Sequence, residues 1–369
     1  MFRIITFRII LLFIFSPAIF GISGLATGQT ISSEGKKYAV TFGESYPNYL
    51  PGSSIRMSVT FKNNTPDYQT VNQELIVVDS AGLKVWKTVI NLDLSSNQTM
   101  TLPLMIPVPK TSGSFTLKPG DVAIGNGEAN PSFDFKVIQP KKSSRLSKIL
   151  VHTPDSEVVL NAFLKSWDIK APTISWGQVL LLGKKSWTLF AAGDKEISQL
   201  IDRALKREMS VIFLDFGPTD DEKMGILPKI DLPFNVSVSF VKAAAPEQNF
   251  DLKAENKELT FDFSSNQVKM WNGYYGITVP AVDMRFDGKG VKINGFVTTG
   301  HHPFRYPVVE MVPLNGKGKL YICQLLTDGR LDPAVKTTRN HPELPAYDPV
   351  AVQFLLNLIS ATVGDNLLK

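Results

Sequence analysis

The hydrophobic rhythm of this chain changes near residue 140, and that change limits what each half can fold into. Before it, short runs alternate apolar with polar side chains, as in Ile55, Met57, Val59 and Phe61 against Arg56, Ser58, Thr60 and Lys62. A period of two puts one set on a buried sheet face and the other in solvent. Turn residues separate the runs: Pro51-Gly52, Asn63-Asn64, Ser80-Ala81-Gly82, Ser95-Ser96-Asn97 and Thr111-Ser112-Gly113. About seven such strands without helical spacing predict an antiparallel β-sandwich over residues 30–138.

After the change, compact apolar runs (KILVH, QVLLLG, SVIFLDF, KLYICQLL) alternate with stretches of helical spacing. One helix reads from Thr153 as its cap, with Pro154 in the first turn and Val159, Leu160, Phe163, Leu164 and Trp167 on its apolar face. A second starts near Asp194 and carries Ile197, Leu200, Ile201, Ala204 and Leu205. A last one follows Asp348-Pro349 with Val352, Leu355, Leu356 and Ile359. Strands alternating with helices predict a three-layer α/β domain over 148–369 with a mainly parallel sheet. Residues 139–147 (QPKKSSRLS) are polar, carry a proline and suit a linker.

Residues 1–28 have the form of a signal peptide: Arg3 and Arg8, then an apolar run interrupted by Pro17, then Gly24, Ala26 and Gly28 before Gln29. A membrane span needs ~20 apolar residues, so the expectation is cleavage, no transmembrane span afterwards, and a periplasmic or extracellular location. Removing Arg3 and Arg8 from the 39 basic residues leaves 37 against 34 acidic ones, too even a balance to imply nucleic acid. Cys323 is the only cysteine, which excludes an intramolecular disulfide, and its apolar run KLYICQLL predicts a buried thiol.

Two resemblances rest on these segments. YLPGSSIRMSVTFKNNT, LIVVDSAGLKVWK and LPLMIPVPKTSGSFTL resemble an immunoglobulin-like module of the kind found in secreted glycoside hydrolases and bacterial surface proteins. QVLLLG leading to a helix, SVIFLDF, WNGYYG, GKGKLYICQLLTDGRLDP and DPVAVQFLLNLIS resemble the class I glutamine-amidotransferase-like, flavodoxin-like domain, especially versions appended to β-galactosidase-type enzymes. Active amidotransferases hold a cysteine on a sharp turn after a strand. The nearest position here, Asp215-Phe216-Gly217, has neither Cys nor Ser. Without that nucleophile, acyl-transfer chemistry by the family's route is closed. The resemblance therefore implies an exported, non-catalytic accessory protein that works with a carbohydrate or a glycan-degrading enzyme partner.

Candidate ligand-binding residues follow from side-chain chemistry. Flat rings cover the apolar face of a sugar, and Trp271, Tyr274 and Tyr275 gather between Asn272, Gly273 and Gly276. The competing expectation is that these rings fill the core or the seam between domains. His301 and His302 follow Gly300 in a loop, where one imidazole would reach a ligand, and Asp215 sits at the turn after SVIFLD. Adjacent histidines on an extended chain point opposite ways, and no metal-ligand spacing occurs, so no metal is expected. Neither GNGEAN nor FDGKGVKING opens a helix as a phosphate loop does, so no cofactor is expected. A glycoside hydrolase needs two carboxyl groups facing across the sugar. Asp215, Asp220, Asp221, Asp283, Glu310, Asp328 and Asp332 are available, but no catalytic residue is assigned. Such a hydrolase, with its pair in the α/β cleft, is one alternative; a structural cell-envelope protein is the other.

Overall fold

Alternation in the first half produces two facing sheets. Its strands are β1 (Tyr38–Phe42), β2 (Asn48–Tyr49), β3 (Ser54–Asn63), β4 (Gln69–Asp79), β5 (Lys84–Leu94), β6 (Thr99–Pro107), β7 (Gly113–Pro119) and β8 (Phe133–Val137). One sheet has the order β1-β3-β6 and the other β2-β8-β7-β4-β5. Inward residues of both, including Ile55, Val59, Phe61, Val71, Leu75, Val77, Phe115 and Phe135, form one core. The computed structural model describes residues 37–43, 45–120, 131–172, 177–217, 229–242, 250–252, 256–262, 271–272, 282–299, 306–314, 318–332 and 347–363. The signal-peptide expectation, Tyr274, Tyr275, His301, His302, Asp220 and Asp221 lie outside the described residues.

The second half continues with β9 (Val151–His152), α1 (Val158–Ser166), β10 (Val179–Leu182), α2 (Lys184–Ala191), α3 (Lys195–Lys206) and β11 (Ser210–Phe213). Next come β12 (Ile230–Leu232), β13 (Val236–Lys242), β14 (Phe250–Leu252), β15 (Val282–Gly288), β16 (Val291–Thr299), β17 (Val308–Pro313) and β18 (Lys319–Cys323). The last element is α4 (Pro349–Ala361). A seven-stranded sheet runs β14-β16-β17-β18-β11-β10-β9. Leu150, just before β9, also bridges Lys170 in parallel. With that short extended segment counted, the parallel strands lie in the order second, first, third, fourth, fifth along the chain.

The apolar runs are continuous because both faces of the parallel strands are covered. Val179, Leu181, Ile212, Tyr321 and Cys323 face one core with α1 and α4. Leu180, Leu182, Val211, Phe213, Leu320 and Ile322 face the other with α2 and α3.

Several expectations need correction. The large sheet is mixed rather than mainly parallel, because β17, β16 and β14 join it antiparallel. β12, β13 and β15 add a separate antiparallel sheet over the α2–α3 face. Period two was present there, in Val236, Val238 and Phe240 and in Val282, Met284 and Phe286. The first helix does not start at Thr153, whose hydroxyl instead donates to the Leu181 carbonyl at 2.6 Å. Residues 154–157 make a turn, and α1 begins at Val158. Trp187 lies in α2. Asp194 and Asp348 do cap α3 and α4, accepting from Ile197 and from Val350 and Ala351 respectively.

The 139–147 linker segment is hydrogen-bonded to α4. Lys141 N–H donates to Gln353 Oε1 at 2.6 Å, Gln353 Nε2 returns a bond to the Lys141 carbonyl at 3.0 Å, and Leu146 is enclosed. A second attachment is a buried polar node. The Asn48 N–H donates to Asn272 Oδ1 at 3.1 Å, and Asn272 Nδ2 donates to the Asn48 carbonyl at 2.7 Å. Asn48 Nδ2 and the Asn272 N–H both donate to Asp348 Oδ2. Strand β2 of the first half is thereby bonded to the start of α4. Among the described residues, no helix is long and apolar enough to cross a membrane.

Candidate functional site

Parallel strands aim their carbonyl ends at one rim of the sheet, where open α/β sheets bind ligands. A cleft of about 390 Å³ lies at that rim, lined by residues from the turn before α1, the start of α2, the end of β11 and the loop after β18. Its polar groups are Ser156, Glu157, Lys184, Lys185, Asp215, Thr327 and Asp328, and its apolar wall includes Val158, Val159 and Leu331.

Asp215 stands where the sheet hands over to the turn, with φ of +53°. Aspartate tolerates this left-handed conformation better than most side chains. The turn is tight: at Gly217, φ is +109°, and a Cβ would lie 2.8 Å from the Phe240 ring. Main-chain bonds hold both sides, with Trp187 Nε1 donating to the Asp215 carbonyl at 2.7 Å and the Phe216 N–H to the Cys323 carbonyl at 2.9 Å.

The Asp215 side chain points into the fold. Its Oδ1 accepts from the N–H groups of Thr327 (2.5 Å) and Asp328 (3.0 Å), and its Oδ2 from the Thr327 hydroxyl (2.7 Å). Burial pushes its pKa up to about 6, against the pull of these donors. Both oxygens are thus committed to shaping the loop after β18.

Glu157 is engaged in the same manner. Its Oε1 accepts from the Ser186 N–H (2.7 Å) and hydroxyl (2.6 Å), in the first turn of α2. A carboxylate there satisfies helix N–H groups and suits the positive end of the dipole. Gly183 permits the approach, since a Cβ would fall 2.5 Å from Glu157 Oε2. Asp328 is the exposed carboxylate of the cleft, and Lys184 and Lys185 are its cations.

The other sequence candidates lie elsewhere. Trp271 is fully enclosed, with its ring 5.8 Å from Phe354 and 5.4 Å from the Arg330 guanidinium. It forms no part of the cleft lining, so the structure does not bring it together with Asp215. Glu310 is held by Lys319, Tyr321 and Asn294. Burial acts to raise its pKa, but these bonds together take it below the ordinary carboxylate value. Cys323 is fully buried, and desolvation raises its thiol pKa far from the reactive range. Among the described residues, no three His, Cys, Asp or Glu side chains gather as a metal site. Sequence reasoning missed Glu157, Lys184, Lys185 and Thr327; the available signal was the glycine ending QVLLLG before KKS, a strand-to-helix handover.

No family model matches the chain, and no curated protein does. Among solved structures, a β-glucosidase from Listeria innocua overlaps 27% of this chain and 16% of its own, at 14% identity and a TM-score of 0.22. A cycloisomaltooligosaccharide glucanotransferase from Paenibacillus sp. overlaps 37% and 19%, at 14% identity and 0.21. An alkylpurine DNA glycosylase from Pseudomonas fluorescens overlaps 27% and 30%, at 16% identity and 0.20. This chain spans only 16% of the β-glucosidase's length, and TM-scores this low carry no argument about fold or function.

Proposed function

We propose that this is an exported, non-catalytic accessory protein. In this reading an immunoglobulin-like sandwich is joined firmly to a flavodoxin-like, amidotransferase-like domain that has lost its nucleophile, and the protein serves carbohydrate breakdown by binding a glycan or a glycan-degrading enzyme. The supports are the two facing sheets of the first half, the second-first-third-fourth-fifth order of the parallel strands, and the resemblance of the segments quoted above.

One observation carries the non-catalytic part. At the turn that would display a nucleophile stands Asp215, with both carboxylate oxygens bonded to Thr327 and Asp328. Glu157, the other enclosed carboxylate of the cleft, is bonded to Ser186. A glycosidase pair needs one group free to donate a proton and one free to attack or activate water. Asp215 has both oxygens engaged, and Glu157 is engaged through Oε1.

The test is a panel of soluble and insoluble glycans incubated with purified full-length protein. The expected result is no release of reducing ends, together with retention on at least one polysaccharide or by a glycoside hydrolase. Hydrolysis abolished by Asp215→Asn, Glu157→Gln or Asp328→Asn would instead establish an enzyme. Absence of any retention would remove the carbohydrate role.

A further inference from the structure

The sandwich has two long strands at sheet edges, β5 and β6, and of the two only β6 carries prolines. It carries Pro103 and Pro107, which offer no N–H to an added strand. β5 runs eleven residues without a proline, about twice the ordinary strand length. Among the described residues it pairs with β4 alone. Val85 and Val89 on its outward face are 46% and 48% exposed.

The inward face of β5 is under-covered too. Trp86, Ile90 and Leu92 point the same way as Val77, Gln73 and Val71 beside them on β4, which are almost wholly enclosed. Yet those three are only half-buried, as are Met100, Leu102 and Leu104 on β6. The sandwich therefore ends on an apolar seam with a row of backbone groups along one lip, a template for another strand.

We propose that β5 pairs antiparallel with β5 of a second copy, so that the two five-stranded sheets become continuous across a two-fold axis. Charge and backbone regularity select the same register. A bulge at Val77/Val78 leaves residues 86–94 as the regular stretch of β5, with Ile90 at its midpoint. Two-fold pairing about Ile90 sets each Lys87 opposite an Asp93, Thr88 opposite Leu92, Trp86 opposite Leu94, and Ile90 opposite itself. Even-numbered residues stay on the core side in both copies, as the pleat requires. A shift that moves Lys87 by two positions puts it opposite Asn91 or Ser95 and loses both charge pairs.

Both side chains are placed for this. Lys87 is exposed, with Nζ 3.7 Å from Glu74 Oε1. Asp93 is exposed and accepts from the Thr70 hydroxyl at 2.9 Å and from the Tyr68 hydroxyl, neutral donors that leave its charge for the cation opposite. Paired opposite charges on one sheet face are favourable and like charges are not, so the arrangement favours self-association over an arbitrary strand.

Charge reversal tests the register. Sedimentation velocity of the purified full-length protein is expected to show a dimer that Lys87→Glu and Asp93→Lys each weaken at least about tenfold, and that the double variant restores. Circular dichroism checks that each variant is folded. A second variant, Ile90→Cys, is expected to form a disulfide-linked dimer on mild oxidation, because a residue opposite itself meets the Cα spacing a disulfide requires. Buried Cys323 does not compete for it. A wild type monomeric up to about 100 μM, a dimer indifferent to both reversals, or single-variant losses that the double variant does not repair would each overturn the proposal.

Discussion

Asp348→Ala is expected to cost ~3–5 kcal/mol of stability. The carboxylate is fully enclosed and receives four donors. Its Oδ1 takes the Val350 N–H (2.6 Å) and the Ala351 N–H (3.0 Å), which closes the first turn of α4. Its Oδ2 takes Asn48 Nδ2 (3.0 Å) and the Asn272 N–H. Burial raises its pKa, while these donors and the nearby Arg330 charge pull the other way. Loss of a helix cap alone costs ~1 kcal/mol. Here two further buried donors lose their acceptor at the attachment of β2. Asp348→Asn keeps one acceptor but turns an N–H toward Asn48 and Asn272, and about 2 kcal/mol is expected. Urea unfolding followed by tryptophan fluorescence measures both. A loss below about 1 kcal/mol for the alanine variant would mean that the node is not what joins the halves.

Trp271→Ala is expected to cost a similar ~3–5 kcal/mol, through the cavity it leaves beside Phe354 and Arg330. The indole N–H has no hydrogen-bond partner among the described residues, so Trp271→Phe loses volume and little else. That variant is expected to stay folded with unchanged glycan retention. Lost retention in a folded Trp271→Phe protein would make the ring a binding platform after all. The stability difference between the two variants is read from their urea midpoints.

The contrast between these residues and the sequence expectations is instructive. Strand β3 was legible because one face is solvated: Ile55, Val59 and Phe61 are wholly enclosed and Arg56 and Lys62 are exposed. Helix α3 was legible for the same reason, with Ile197, Ile201, Ala204 and Leu205 inward. Helix α4 is buried from Pro349 to Ser360, so the spacing of Val352, Leu355, Leu356 and Ile359 showed one apolar face and not the burial of the others, and its Asp-Pro start marked where it begins. Helix α2 was missed because eight residues barely exceed two turns and give little periodicity. Thr153 misled because its hydroxyl reaches a strand neighbour distant in sequence. The cleft was half legible: Asp215 was singled out from a missing nucleophile, yet no local pattern reveals that Thr327 and Asp328, more than a hundred residues on, would claim its oxygens.

The central claim is that the Asp215 carboxyl is buried inside the turn rather than displayed in the cleft, and its titration tests this most directly. A carboxyl whose folded pKa lies near 6 against 3.8 ordinarily binds its proton more tightly in the native state. Its contribution to stability is therefore complete below 3.8 and is lost as pH rises through about 6. Urea unfolding of wild type and Asp215→Asn across this range is the measurement. Asparagine keeps an acceptor for the Thr327 and Asp328 N–H groups without the ionisation. The predicted result is a folded variant against which the wild type loses up to about 3 kcal/mol between pH 4 and 7. Parallel curves would contradict it, because they would mean that burial does not disfavour the charged form of Asp215.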